Sequence, residues 1–343
     1  MDMLDRATGC LLGLAVGDAL GFPLEGLGRR QIQSRFGRPS GYRFLGATGY
    51  VSDDTEQAVM AAEAALEAGL VPEEAARRFA RKLVGWFWTL PPGVGLATVR
   101  ACLKWSVGLG GGVASAGNGS AMRAAPLGLV PGSGGELVAA ISRVTHTDPR
   151  AVDGARVMAA AAGLLVRGGS AGLDELLEAT SPLDPRLEEA LRGAWQLATS
   201  GAPARQAAER LGVSGYVLHS VPFAFWALWR RPHSFIEGLQ SVVFQGGDAD
   251  SNGAMAGALL GAWKGRDSIP SDLVEALEPA YGAGRLGLLA RGLVEGSLPP
   301  GYRPPGFAAA RRRELAVKLG VGLHALRRLL PWPLPAADPG AEP

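Results

Sequence analysis

The chain has 343 residues, of which 47% are hydrophobic, 50 are glycine and 24 are proline. A folded chain of this length buries about three quarters of its unfolded surface, and the glycine and proline content stays below the roughly 25–30% typical of low-complexity disorder. The net charge is only +2, from 34 basic and 32 acidic residues. We therefore expect that most of the chain is folded, and that it has no strongly basic surface for binding nucleic acid.

Helical periodicity dominates the sequence, and alternating strand patterns are almost absent. This pattern predicts an all-α protein with a dozen or more helices in one compact domain, residues 1–330. A proline-rich tail, residues 331–343, follows, and its end is expected to be disordered. The predicted helices span residues 4–20, 54–70, 72–88, 97–108, 120–130, 135–145, 151–166, 184–198, 203–211, 218–231, 233–244, 252–264, 271–281, 283–296 and 307–329.

The apolar N-terminal segment does not have the charge pattern of a secretory leader. Asp2 and Asp5 outnumber Arg6 ahead of it, and Asp18 interrupts the apolar run. No uninterrupted apolar stretch approaches the ~20 residues that cross a bilayer. We therefore expect a cytoplasmic protein that binds neither membrane nor nucleic acid.

Asparagine is scarce, because the chain contains only Asn118 and Asn252. Each is followed by glycine, and each lies in a glycine-rich loop, residues 117–120 and 246–253. Such loops favour turns that need a positive φ or a side-chain amide. These two loops are therefore candidate functional segments.

A first acidic cluster, residues 52–55, comprises Ser52, Asp53, Asp54 and Thr55. Asp53 stands three residues ahead of Glu56, a spacing that resembles a helix capping box. A cap needs only one side chain, however, whereas this segment offers four consecutive oxygen donors. A second acidic cluster, residues 248–251, contains Asp248, Asp250 and Ser251 at the start of another predicted helix.

The two clusters have the same content but stand nearly 200 residues apart, so only tertiary folding could join them. Four converging carboxylates would repel one another unless cations neutralised them. Ligands that are all oxygen favour Mg²⁺, Mn²⁺ or Ca²⁺ over Zn²⁺. The sequence therefore predicts a dinuclear centre, and His146, between two threonines, is the histidine most suited to a role near it.

Five motifs in this order resemble the ADP-ribosylglycohydrolase family. They extend from Gly9 to about Gly265, roughly three quarters of the chain. The motifs are Gly13-Leu14-Ala15-Val16-Gly17-Asp18-Ala19-Leu20-Gly21 with Glu25, then Ser52-Asp53-Asp54-Thr55, Gly117-Asn118-Gly119-Ser120-Ala121-Met122-Arg123, Thr145-His146, and Gly246-Gly247-Asp248-Ala249-Asp250-Ser251.

The resemblance implies an all-α fold with two Mg²⁺ (or Mn²⁺) ions in a central cleft. It implies hydrolysis of the N- or O-glycosidic bond between ADP-ribose and a protein side chain or small molecule. Glu25 and Asp54 are the candidate catalytic carboxylates, and Glu25 is favoured because it lies outside the metal set. By motif position the metal ligands are Ser52, Asp53, Asp54, Asp248, Asp250 and Ser251, and the residues facing ADP-ribose are Asn118, Gly119, Ser120, Met122, Arg123 and His146.

One position departs from many relatives. Gly93 stands in the loop Pro92-Gly93-Val94-Gly95, where those relatives have an acidic residue. An arginine-linked substrate is therefore less favoured than the resemblance alone implies, relative to serine-linked or small-molecule conjugates. Two other classes stay open at this point: a catalytically silent ADP-ribose-binding or structural relative, and a two-metal phosphoester hydrolase.

Overall fold

A computed structural model describes residues 2–38, 40–132, 134–304 and 307–329, and the predicted tail lies outside them. Over these residues the chain forms sixteen α-helices and only isolated β-bridges, which confirms the all-α, single-domain prediction. The helices are α1 Met3–Gly21, α2 Arg29–Phe36, α3 Asp53–Glu67, α4 Pro72–Phe87, α5 Leu96–Ser106, α6 Gly135–Arg143, α7 Pro149–Val166, α8 Leu173–Thr180, α9 Pro185–Thr199, α10 Ala204–Leu211, α11 Val217–Trp229, α12 Phe235–Val243, α13 Ala249–Lys264, α14 Ser271–Glu275, α15 Ala283–Glu295 and α16 Phe307–Leu329.

Helices α1 and α13 form the centre of the core and pack backbone against backbone. Glycines repeat every fourth residue along α1, so they lie on one face of the helix, opposite a matching stripe on α13. A Cβ on Gly13 would lie 2.2 Å from the carbonyl oxygen of Gly257, and one on Gly17 would lie 2.0 Å from that of Gly253. The close approach fixes the end of α1 beside the start of α13, where the second acidic cluster lies.

The apolar character of α1 follows from this central position. The segment Met3–Leu24 is long and apolar enough to cross a membrane by length and composition alone, a property that the sequence analysis did not expect. All of its apolar window is buried inside the protein, against other helices. Core packing therefore accounts for its composition.

Some predicted helices are wrong, and tertiary contacts explain why. Residues 120–130 form turns and the short 3₁₀ segment Ala125–Leu129 rather than an α-helix, since Pro126 lacks an N–H and a Cβ on Gly128 would lie 1.7 Å from the carbonyl oxygen of Ala159. The helix predicted at 271–281 ends at Glu275, where the chain pairs with Gly49. Helices α2 and α8 were not predicted.

The last described helix, α16, is held against the start of α3 by Arg313. This guanidinium donates to the carbonyl oxygen of Val51 at 2.7 Å and to Glu278 at 2.7 and 2.9 Å, and it also pairs with Glu56 and Glu314. On the same helix, Val317 joins Phe22 and Phe44 in a small apolar cluster separate from the main core.

Candidate metal and substrate site

The first acidic cluster opens α3. Ser52 is the N-cap, and its hydroxyl accepts from the backbone N–H of Asp54 at 3.3 Å and donates to the Asp54 carboxylate at 2.9 Å. The expected capping box is wrong, because Asp53 is the first helical residue and Glu56 instead accepts from the Trp86 indole at 2.6 Å. The carboxylate of Asp53 is thus released from capping and accepts from Gln57 at 2.7 Å.

A buried carboxylate on α1 holds this turn in place. Asp18 accepts from the backbone N–H of Ser52 at 2.9 Å and from the backbone N–H of Thr55 at 3.0 Å, and also from the Thr55 hydroxyl. Burial raises the pKa of Asp18 to about 6, although these hydrogen bonds oppose the increase. Asp18 was not among the predicted site residues. The available signal was a single carboxylate within the buried stretch 7–21 of α1.

The second acidic cluster opens α13. Asp248 occupies the N-cap position, yet its side chain makes no capping hydrogen bond. Its carboxylate instead accepts from the Asn118 amide at 2.6 Å. The first turns of α3 and α13 therefore both present carboxylates, and the positive ends of the two helix dipoles partly offset their charge.

The two clusters line one cavity of about 340 Å³. Of the predicted residues, this cavity is lined by Glu25, Asp53, Asp54, Asn118, Gly119, Met122, His146, Asp248, Asp250 and Ser251. The start of α5, from Gly95 to Thr98, forms another part of the wall that the sequence analysis did not single out. Folding thus brings the two acidic clusters together at one cavity. Their assignment as metal ligands stays a prediction.

Three predicted site residues lie behind the cavity rather than on its wall. Ser52 is turned toward Asp18 and Asp54, as described above. Ser120 is buried and donates its hydroxyl proton to the carbonyl oxygen of Ala151 at 2.8 Å. Arg123, expected to line the cleft, is likewise buried behind it.

Arg123 supports the cavity wall from the protein interior. Its guanidinium donates to Gln57 at 2.9 Å, to the carbonyl oxygen of Gly119 at 2.6 Å and to the Thr145 hydroxyl at 2.6 Å, and it lies over the Phe79 ring. Burial lowers its pKa to about 9. It therefore links the loop that carries Asn118 to α3 and to the segment that carries His146, without contacting the cavity.

Burial and mutual repulsion destabilise the charged form of the clustered acids. Desolvation, followed by the charges of neighbouring carboxylates, raises the pKa of Asp53, Asp54 and Asp250 well above the usual range. Burial also raises the pKa of Asp248, against the hydrogen bond from Asn118. Such a group of acids favours either bound protons or a bound cation.

The donor set fits a hard divalent cation. One oxygen of Asp54, Oδ1, is buried and has no hydrogen-bond partner among the described residues. Carboxylate oxygens of Glu25, Asp248 and Asp250 all lie within 4.8 Å of one another. All of these ligand atoms are oxygens, as Mg²⁺ and Mn²⁺ prefer. Glu25, expected outside the metal set, therefore stands close enough to the second cluster to share a cation with it.

His146 borders the cavity in its neutral form. Burial, and then the charge of Arg123, lowers its pKa to about 3, and its Nδ1 is 2.8 Å from the Thr145 hydroxyl. A Cβ on Gly119 would lie 2.8 Å from its Cε1, so a larger residue at 119 would crowd this ring. His146 is thus placed to exchange hydrogen bonds rather than to supply a positive charge.

Comparisons with known proteins point to one family. The ADP-ribosylglycohydrolase family model matches residues 1–301. The ADP-ribosylarginine hydrolase Tri1 of Pseudomonas putida is 31% identical over 79% of this chain and 74% of its own length. The ADP-ribosyl-[dinitrogen reductase] glycohydrolase of Rhodospirillum rubrum is 30% identical over 80% of this chain and 90% of its own length. A solved structure of an ADP-ribosylglycohydrolase-related protein complex covers 86% of this chain and 99% of its own, with 30% identity and a TM-score of 0.66.

Proposed function

Because the chain belongs to the ADP-ribosylglycohydrolase family, we propose that it is a metal-dependent enzyme that hydrolyses the bond between ADP-ribose and an acceptor. The acceptor is a protein side chain or a small molecule. The observation that carries the proposal is the single cavity onto which the acidic N-termini of α3 and α13 and the loop of Asn118 and Gly119 all open. The names of the two bacterial relatives support the same reaction class.

The reaction needs one proton removed and one delivered. The bond between C1″ of the distal ribose and the acceptor atom breaks, and the oxygen of a water molecule bonds to C1″ through an oxocarbenium-like transition state. A carboxylate accepts the proton of that water or protonates the departing acceptor atom. We assign this role to Glu25, which faces the cavity, with Asp54 as the alternative.

The carboxylates of Asp53, Asp54, Asp248 and Asp250, with the Ser251 hydroxyl, are the groups that would hold the ions, whereas the predicted ligand Ser52 supports Asp54 from behind the cavity. Two bound Mg²⁺ or Mn²⁺ ions would supply positive charge that neutralises these acids and orients the ribose hydroxyls. The unpartnered oxygen of Asp54 supports this assignment, since a buried acceptor without a donor is otherwise costly.

The loop of Gly117–Gly119 is the side on which we place ADP-ribose. Neutral His146 offers a hydrogen-bonding nitrogen on this side of the cavity without competing for protons. The chain's own part in catalysis is then to position the sugar between this loop and Glu25. Positioning alone contributes a large share of the rate in such sites.

The test is a hydrolysis panel of arginine-linked, serine-linked and small-molecule ADP-ribose conjugates, with products identified by mass spectrometry. We expect intact ADP-ribose with Mg²⁺ and none after EDTA. Formation of AMP would instead identify a phosphoester hydrolase, and binding of ADP-ribose without turnover of any conjugate would identify a silent relative.

A further inference from the structure

A second cavity, of about 280 Å³, adjoins the first. Glu25 and Gly93 line both cavities, so these residues form the boundary between the two spaces. The remaining wall includes Phe22, Phe44, Pro92 and Val321. The volume is close to the lower end of the ~300–1,000 Å³ range of small-molecule sites, which suits a side chain or a small group rather than a folded partner.

The two cavities differ in chemistry. The first is lined by five carboxylates, including Glu25. Among the described residues that line the second, Glu25 is the only ionisable group, and the rest are aromatic, aliphatic, proline or glycine. A polyol and diphosphate therefore suit the first cavity, and an uncharged apolar or aromatic group suits the second.

The shared boundary suggests which part of the substrate enters each cavity. If Glu25 transfers a proton at the glycosidic bond, that bond must lie beside Glu25. The ribose then points into the carboxylate-lined cavity, and the departing acceptor points away from it. The space on the other side of Glu25 and Gly93 is the second cavity.

Helix α16 forms one wall of this cavity and lies beyond residues 1–301, the part of the chain that matches the family. It is held in position by Arg313 at the start of α3, by Val317 packed with Phe22 and Phe44, and by Lys318, whose ammonium donates to the carbonyl oxygen of Thr89. These contacts attach the wall to the part of the chain that matches the family.

We propose that the second cavity binds the acceptor portion of the substrate, and that α16 selects an uncharged acceptor with an apolar or aromatic body. This inference rests on the proposed function, because it assigns the leaving group of that reaction. It assigns α16 a specificity role and leaves the reacting groups unchanged.

The experiment compares benzyl and methyl O-glycosides of ADP-ribose, whose alcohols are similarly reactive leaving groups, together with the para-aminomethylbenzyl glycoside. Free ADP-ribose is measured to obtain kcat/KM. We expect the benzyl conjugate to exceed the methyl conjugate by about tenfold or more, the size of effect that an apolar pocket gives. The cationic conjugate should fall below the benzyl conjugate.

Two variants and a control locate the effect. Val321→Trp fills the pocket and should bring the benzyl-to-methyl ratio toward one, whereas Val321→Asp should reverse the preference between the benzyl and cationic conjugates. Leu319→Trp changes the same helix at a side chain that is 69% exposed and should leave every ratio unchanged.

The possible failures are distinct. Equal turnover of the benzyl and methyl conjugates by the unmodified protein would overturn the acceptor pocket while the proposed hydrolysis stood. A preference that persists in both Val321 variants would show that another surface selects the acceptor. Release of ADP-ribose from none of the conjugates would overturn the proposed function, and the acceptor assignment with it.

Discussion

The two acidic clusters meet at one cavity but are held there in different ways. The first, residues 52–55, is fixed by side chains from distant helices: Asp18 of α1 binds its N–H groups, and Arg313 of α16 binds the carbonyl oxygen of Val51. The second, residues 248–251, is fixed mainly by backbone. Gly247 exchanges hydrogen bonds with Gly26 and Leu27 at 2.8 and 2.9 Å, and the N–H of Asp248 donates to the carbonyl oxygen of Val213 at 2.9 Å.

The two clusters should therefore be sensitive to different substitutions. A substitution far along the chain can disturb the first cluster, since its support comes from charged side chains. The second cluster depends on local conformation: Gly246 and Gly247 have φ of 78° and 71°, and a Cβ on Gly246 would lie 2.1 Å from the carbonyl oxygen of Leu27.

The largest expected effect on activity follows the removal of a single carboxylate from either cluster. Asp54→Asn and Asp250→Asn should each lower kcat/KM by at least about 10³-fold, more than the 10–100-fold typical of lost outer-shell partners. The folded protein should not lose stability, because each change relieves repulsion among buried acids. Steady-state hydrolysis and Mg²⁺ calorimetry measure both effects, with exposed Asp174→Asn as the control. Activity retained by either variant would show that its cluster does not serve the centre.

Arg313→Met tests the support that is specific to the first cluster. It leaves Glu56, Glu278 and Glu314 buried without their shared cation, which should lower the free energy of unfolding by about 3 kcal/mol. An exposed arginine on α10 provides the control, since Arg210→Met should change stability by less than about 0.5 kcal/mol. Chemical denaturation measures both. Equal stability of the two variants would mean that α16 does not support this cluster.

The acids should also make stability depend on pH. Burial raises the pKa of Asp18 to about 6, from 3.8 in the unfolded chain, so the folded protein holds more protons between these values. The free energy of unfolding should therefore decrease as pH rises from about 4 to about 6, by about 2–3 kcal/mol. The raised pKa values of Asp53, Asp54 and Asp250 extend the decrease to higher pH.

Thermal unfolding at pH 5 and pH 8, in EDTA and in Mg²⁺, checks this dependence. In EDTA the protein should be more stable at pH 5. Mg²⁺ should reverse the order, because it binds the deprotonated carboxylates. Unfolding temperatures that match at both pH values in EDTA would contradict the electrostatic account.

The glycine stripe of α1 should tolerate less change than glycine elsewhere. Gly17→Ala forces a methyl group against the carbonyl oxygen of Gly253 and should cost about 2 kcal/mol. Gly85→Ala in α4 meets open space and should instead stabilise the protein by about 0.5 kcal/mol. Denaturation midpoints separate the two, and a gain of stability in both variants would indicate that helix propensity, not packing, governs these positions.

Helical periodicity predicted the all-α fold because the spacing of apolar residues in each segment indicates the buried face of a helix, as in α3, α4 and α7. The acidic motifs identified both clusters because each offers more carboxylate and hydroxyl oxygens than one helix cap needs. The support of the site had no such local signal. Asp18 lies in an apolar helix and Arg313 in a run of arginines, and only tertiary folding gives either a partner. Residues 120–130 failed as a helix for the same reason, since their backbone is shaped by contact with α7.

The smallest effects are expected at the two side-chain amides that donate hydrogen bonds to the clusters. Asn118 donates to Asp248, and Gln57 donates to Asp53. Asn118→Ala should weaken Mg²⁺ binding by about tenfold, at the low end of the range for outer-shell partners, because Asp248 loses the amide that orients its carboxylate. Gln57→Ala should weaken it by a similar factor but also lower stability, since Arg123 loses a buried acceptor. Calorimetry and denaturation on the same two variants give both quantities. If Asn118→Ala is the less stable of the two variants, the first cluster does not depend on side-chain support more than the second does.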